Sequence, residues 1–328
     1  MKNLLIFILS RLLKSSEINK KIGGFTLIEL LVAMVLAVLV ITPLMAFMVN
    51  TVDSDQKEQA KATTEQEIQA ALDYISRDMQ QAIYIYDSDG VTRNNSTTIS
   101  SSGIKDQIPP TKTAPNCTST TTCTPVLVFW KREFVADSVG VTSKTDTNKD
   151  DGFTYSLVAY YLITNPSSSS PWSPSARIAR FQIRGPVSAE YADANNDSVT
   201  NDSNSNEEVD VGYNAPPLGS NGATLKEKMN QWKTSLTTSG TYTQRAETLV
   251  DYISTTGPTP TCSSGQGIGT SGFYACVDAT EVLAQVYLRG NAYVRLKNNN
   301  NTSYNDSASA YFPSVSKRLE GRGYIYTK

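Results

Sequence analysis

Ile22-Gly23-Gly24-Phe25-Thr26-Leu27-Ile28-Glu29-Leu30-Leu31-Val32-Ala33-Met34 is the stretch on which the reading of this chain turns. Ahead of it stand Lys2, Arg11, Lys14, Lys20 and Lys21 against the single acid Glu17, and behind it residues 30–52 carry no charge at all. Those 23 residues span roughly 35 Å as a helix, enough to cross a bilayer with some tilt. Basic residues flanking such a span stay on the cytoplasmic side, which sends the C-terminal bulk outward. A secretory signal peptide places its apolar core before the cleavage site, with small residues preceding the cut. Here the order is reversed: the Gly24-Phe25 junction comes first and the long apolar run follows it. A cut at that junction removes the charges and leaves the apolar helix on the mature chain. Gly23-Gly24 breaks any helix arriving from upstream and presents an extended peptide to a protease.

One residue interrupts the apolar pattern. Glu29 is an acid at the head of a membrane-length segment, and a carboxylate in hydrocarbon is costly unless it has a partner and a task. Cleavage after Gly24 creates one, because the freed Phe25 amine is a cation about one helical turn away. The two can pair within one chain or between neighbours stepped along a filament.

These residues resemble the signature of type IV prepilins and type II secretion pseudopilins. The resemblance implies that a prepilin peptidase cuts between Gly24 and Phe25 and that Phe25 is N-methylated. It further implies that Glu29 guides insertion beside the preceding subunit, and that an inner-membrane assembly platform extracts the helix into a filament of other pilins. Pro43 sits a few residues earlier than the proline such helices often carry. It removes an amide donor and crowds the preceding turn, so a kink or local melting is expected there.

Beyond Val52 the chain turns polar and helix-favouring. Ile68, Leu72, Ile75, Met79, Ala82 and Tyr86 recur at three and four residues, marking the buried face of an amphipathic helix, while Asp73, Arg77, Asp78 and Gln80 fall on other faces. The helix is expected to run from Phe25 to about Tyr86, stopped by Asp87-Ser88-Asp89-Gly90. Residues 126–134, 154–163 and 177–184 read as strands, the last alternating so that Arg177 and Arg184 lie on a solvated edge. Residues 225–236 and 244–254 read as short helices, residues 256–272 as a loop, and residues 94–125 as a long Ser/Thr-rich surface loop. Gly290-Asn291 reads as a tight turn between strands 281–289 and 292–297, and residues 323–326 as a last strand. The fold expected is α+β and pilin-like: a long N-terminal helix, membrane anchor plus amphipathic half, packed on a C-terminal antiparallel β-sheet domain. It divides into a leader (1–24), an anchor and assembly helix (25–52), the amphipathic half (53–87) and an exported β-rich domain (88–328). The blocks 67–87, 125–133, 155–163 and 284–291 resemble a narrower group, the pseudopilins of cyanobacterial hormogonium polysaccharide secretion.

Cys117, Cys123, Cys262 and Cys276 all lie beyond the anchor. An even count in an exported domain indicates disulfides, and four cysteines allow three connectivities. Proximity favours Cys117–Cys123 and Cys262–Cys276; free thiols are the alternative. Asp146, Asn148 and Asp150 place oxygen ligands at alternate positions, as do Asp193, Asn195 and Asp197, so calcium is considered at the first cluster. Neither cluster has the EF-hand glycine and distal glutamate in register. No histidine occurs, and no G-x-S-x-G motif, which argues against hydrolytic and metal-dependent chemistry. A net charge of −2 gives no footprint for nucleic acid.

The expected function is structural rather than enzymatic: a minor pseudopilin, single-pass in the inner membrane, with its C-terminal domain exported to the periplasm or filament surface. It would support polysaccharide secretion and surface motility. The alternatives are a minor pilin of a motility, adhesion or DNA-uptake pilus, and a tethered carbohydrate-binding module using Trp130, Trp172 and Trp232.

Overall fold

Helix α1 (Leu27–Met79) is the first element among the described residues. The computed structural model describes residues 26–141, 145, 147–164, 171–187, 209–219, 223–297 and 303–323. It divides into two compact units, Met1–Asp55 and Gln56–Lys328, and α1 contributes to both. The expected leader (1–24) and the expected Gly24-Phe25 cleavage junction lie outside the described residues, as do most of residues 323–326.

In the first unit the large apolar side chains of residues 27–52 are exposed, and the helix is long and apolar enough to cross a membrane. It continues through Pro43 without a break, so local melting is not observed. The hydroxyls of this segment are satisfied inside the helix. Thr42 Oγ1 donates to the Val38 carbonyl at 2.7 Å and Thr51 Oγ1 to that of Phe47 at 2.9 Å, so neither needs water.

In the second unit Ile68, Leu72, Ile75 and Met79 are buried, as the stripe requires. The helix ends at Met79, earlier than the apolar spacing implies, and Ala82–Ile85 forms strand β1. Ile83, Tyr84 and Ile85 are β-branched and aromatic, and pairing with the next strand buries all of them. A further helical turn would bury only one side of the same residues.

After the short helix α2 (Ser88–Thr92), strands β2 (Cys123–Gly140), β3 (Lys149–Thr164) and β4 (Ala176–Arg184) follow. Helix α3 (Leu225–Met229) is shorter than expected and precedes β5 (Glu247–Ile253). Strands β1 to β5 form one antiparallel sheet in chain order. Segment 244–254 reads as helical because Ala246, Leu249, Val250 and Ile253 sit at helical spacing. The same residues instead pair with the open edge of β4, where Thr248, Val250 and Ile253 suit an extended backbone.

The register explains why β2 and β3 read as continuous apolar runs. Leu127, Phe129, Tyr160 and Ile178 share the face that meets α1; Trp130, Leu157, Tyr161 and Phe181 share the other. On that second face Trp130 packs edge-on against Trp232 and Tyr213, and Phe181 against Tyr242. Segment 94–125, expected at the surface, buries Ile104, Ile108, Ala114 and Cys117.

Strands β6 (Gln266–Thr270), β7 (Phe273–Asp278), β8 (Leu283–Arg289) and β9 (Ser314–Glu320) make a second antiparallel sheet. Part of the expected loop 256–272 is thus strand β6. Residues 292–297 are helix α4 (Ala292–Lys297) rather than the return strand of a hairpin. Asn291 starts it, its side chain accepting from the Val294 amide at 3.1 Å, and β9 takes the place beside β8 instead. Gly290 lies so close to α1 that a Cβ there would collide with the Thr64 methyl, so the close approach requires a residue without a side chain.

Cys117 is bonded to Cys123 and Cys262 to Cys276. Replacing either pair by serine is expected to lower stability by about 2–3 kcal/mol, since short loops are closed. Urea unfolding of the oxidised wild type and the double variants measures this. Equal midpoints would contradict it, and peptide mapping without reduction checks the pairing itself.

Candidate assembly site

Thr26 stands immediately before α1. The Glu29 amide donates to the Thr26 carbonyl at 3.0 Å and to Thr26 Oγ1 at 3.4 Å, and the Leu30 amide reaches the same carbonyl at 3.2 Å. Threonine is a favoured residue here because its hydroxyl accepts from an amide that has no partner inside the helix. Glu29 therefore sits in the first turn, exposed, with the apolar residues 30–52 following it. Negative charge at that end suits the helix dipole. Gly24 and Phe25 lie outside the described residues, so no contact between Glu29 and the Phe25 amine is described.

At the other end α1 is fastened by its carboxylates. Asp78, 9 % exposed, bonds Lys131 Nζ through Oδ1 at 2.7 Å, and Arg180 Nε and Tyr160 Oη through Oδ2 at 2.7 and 2.8 Å. Lys131 also pairs with Glu133. Glu133 in turn accepts from Gln182 Nε2 at 3.1 Å and Ser156 Oγ at 3.2 Å. Burial pushes the Asp78 carboxyl up, but the hydrogen bonds and charges of Arg180 and Lys131 outweigh it and hold the group below the ordinary carboxylate range. Burial alone would lower Arg180; the Asp78 bond and charge reverse the sign and raise it. Burial and the Asp78 charge push Tyr160 well up, keeping its hydroxyl a donor. Higher on the helix Glu67 pairs with Arg295 of α4, and Asp73 with Lys317 of β9 at 3.0 Å. Carboxylates of one helix thus engage bases from both the first-sheet strands and the elements around the second sheet.

Sequence reasoning missed this cluster. It assigns Asp78 to an outward face and the polar side of β4 to solvent. The structure turns Arg180, Gln182 and Arg184 toward the α1 face, and buries Arg177 on the opposite face beside Trp172. A signal was present: Asp78 lies three residues after Ile75 and seven after the buried Ala71, at the margin of the buried stripe rather than on the far side of the helix.

The other candidates stand apart. Asn148 is in a turn and Asp150 is exposed on β3, opposite Val139. Asp146 lies outside the described residues, as does the cluster at 193–197. Among the described residues no group of three acidic, histidine or cysteine side chains is placed to hold a metal. Trp130 and Trp232 are core residues; Trp172 is 43 % exposed. A carbohydrate surface built from all three tryptophans is therefore excluded.

Residues 19–45 match the family model of the prokaryotic N-terminal methylation motif. No curated protein and no solved structure matches the chain. The matched segment takes in Lys20, Lys21, the Gly24-Phe25 junction, Glu29 and the first turns of α1.

Proposed function

We propose that this type IV pilin-like chain is a minor pseudopilin, a structural subunit of a type IV pilus-like or type II secretion-like filament. The observation that carries the reading is the methylation motif at residues 19–45, running without interruption into an exposed, membrane-length helix whose first turn holds Glu29. The motif implies processing by a prepilin peptidase and assembly with other pilins in a membrane complex. Processing falls between Gly24 and Phe25, with N-methylation of Phe25. Residues 25–52 hold the subunit in the inner membrane until assembly, and the domain that follows is exported. Its two disulfides suit an oxidising compartment.

The filament supports polysaccharide secretion and surface motility. This rests on the likeness of blocks 67–87, 125–133, 155–163 and 284–291 to hormogonium pseudopilins. Deleting the gene and scoring released polysaccharide, motility and pilus number separately distinguishes this role from a motility, adhesion or DNA-uptake pilus. Intact mass and N-terminal analysis of membrane-extracted protein test the processing. The expected product begins with a methylated Phe25, and a mature chain still beginning at Met1, or cut after Val52, sinks the reading.

A further inference from the structure

Where β5 begins late, the margin of α1 and the edge of the first sheet enclose an open groove of about 460 Å³. The ladder between β4 and β5 ends at Arg180 opposite Glu247, so Gln182 of β4 has no β5 residue beside it and faces the groove. The volume is within the range of small-ligand sites, roughly 300–1,000 Å³. We propose that this groove binds a stretch of neutral polysaccharide. The proposal rests on the reading above for its biological setting, in which the exported domain meets secreted polysaccharide.

The chemistry of the lining carries the assignment. Tyr74 projects from α1 and is 40 % exposed, offering an aromatic surface, with Leu249 as a second apolar element. A sugar ring has an apolar face of C–H groups and a rim of hydroxyls. A tyrosine, apolar in body and polar at its tip, suits both. Arg180, Gln182 and Gln244 of the polar lining are planar groups already held in place. Arg180 donates to Gln182 Oε1 at 2.6 Å, Gln182 is tied to Glu133, and Gln244 Nε2 donates to Asp210 at 2.7 Å. Groups oriented before the ligand arrives lose little freedom on binding. The charges are matched within the protein, Arg180 by Asp78 at 2.7 Å and Arg245 by Glu247 at 3.5 Å. Among the described lining residues, that pairing leaves no uncompensated cation to select a phosphate or uronate. A neutral polyhydroxylated chain is the ligand class that uses an aromatic face and paired donors and acceptors without needing a counter-charge.

The test uses the full-length protein in detergent and affinity electrophoresis through a panel of neutral glucans, mannans, galactans and xylans, with alginate as an acidic counterpart. Saturable retardation by at least one neutral glycan is expected. Tyr74→Ala should weaken it about tenfold, whereas Tyr74→Phe keeps most of it. Retardation by none of the panel, by alginate alone, or equally for wild type and Tyr74→Ala overturns the proposal. Tyr74→Ala that loses only copurification with other pilins assigns the groove to a neighbouring subunit and overturns it too. Glycan binding by purified protein is independent of leader cleavage in the cell, so the failure of this inference and the failure of the pseudopilin reading are told apart.

Discussion

Asp78→Ala is expected to lower folding stability by about 3–5 kcal/mol, because it leaves Lys131 buried and Arg180 half-buried without their shared carboxylate. A loss of that size is a large part of the total stability of an ordinary domain. It should move the thermal midpoint down by roughly 10 °C for a unit of this size. The rule that charges sit on surfaces would predict almost nothing, so the measurement separates the two readings. A second variant sharpens it. Replacing Asp78 by Leu together with Lys131→Met, Arg180→Met and Glu133→Gln removes the charges as a set, the last because Glu133 also pairs with Lys131, and should recover part of the loss. Buried ion pairs often contribute little beyond an apolar packing of equal volume, while breaking one is costly. The pH dependence has a definite sign. Asp78 has a depressed pKa in the folded protein, so its contribution is present above the unfolded carboxylate value of about 4 and is lost as pH falls below it. Urea unfolding of wild type between neutral pH and about pH 3 should show that decline, and Asp78→Ala should flatten it. An Asp78→Ala protein as stable as wild type, with the same acid profile, would show that the cluster is not a fastening of α1.

Glu29→Ala should leave insertion and leader cleavage intact and cut incorporation into the filament several-fold or more. The helix start survives the change, because the bonds to Thr26 come from the residue 29 amide and not from its side chain. Membrane insertion should improve if anything, since a costly acid leaves an apolar segment. In the proposed docking role, what is removed is the charge expected to meet the Phe25 amine of a neighbouring subunit, and an unpaired amine in a low-dielectric setting is penalised. Glu29→Gln retains the size and loses the charge, so it should behave like Glu29→Ala. The readout is paired: processed fraction by mass, and copurification with other pilins after mild detergent extraction. Normal processing with lost copurification is the expected result. Normal copurification and secretion in both variants would make Glu29 a bystander, and failed cleavage would assign it to recognition by the peptidase.

The N-terminal anchor was legible without a structure because it depends on local order alone. Basic residues, a glycine pair, an aromatic residue and a long apolar run with one acid form a pattern of composition, and a membrane-length helix needs no tertiary partner to satisfy its backbone. The stripe Ile68, Leu72, Ile75 and Met79 was legible for the same reason: helical period maps directly to a face. Local pattern stopped deciding where the backbone had alternatives. Residues 82–86 and 244–254 fit a helical spacing, yet strands β1 and β5 form there, because an unpaired neighbouring strand offers hydrogen bonds and two-sided burial together. Residues 292–297 went the other way, since a strand there would have competed with β9 for the edge of β8. Only the tertiary structure could place Asp78, Lys131, Glu133 and Arg180 in one cluster. Their charges read as solvated when each is seen among its sequence neighbours, and become a network centred on the buried Asp78 and Lys131 when α1 packs on the polar side of β4. Sequence settles which residues are charged; burial, and hence what each charge must find as a partner, is settled by what the rest of the chain lays over it.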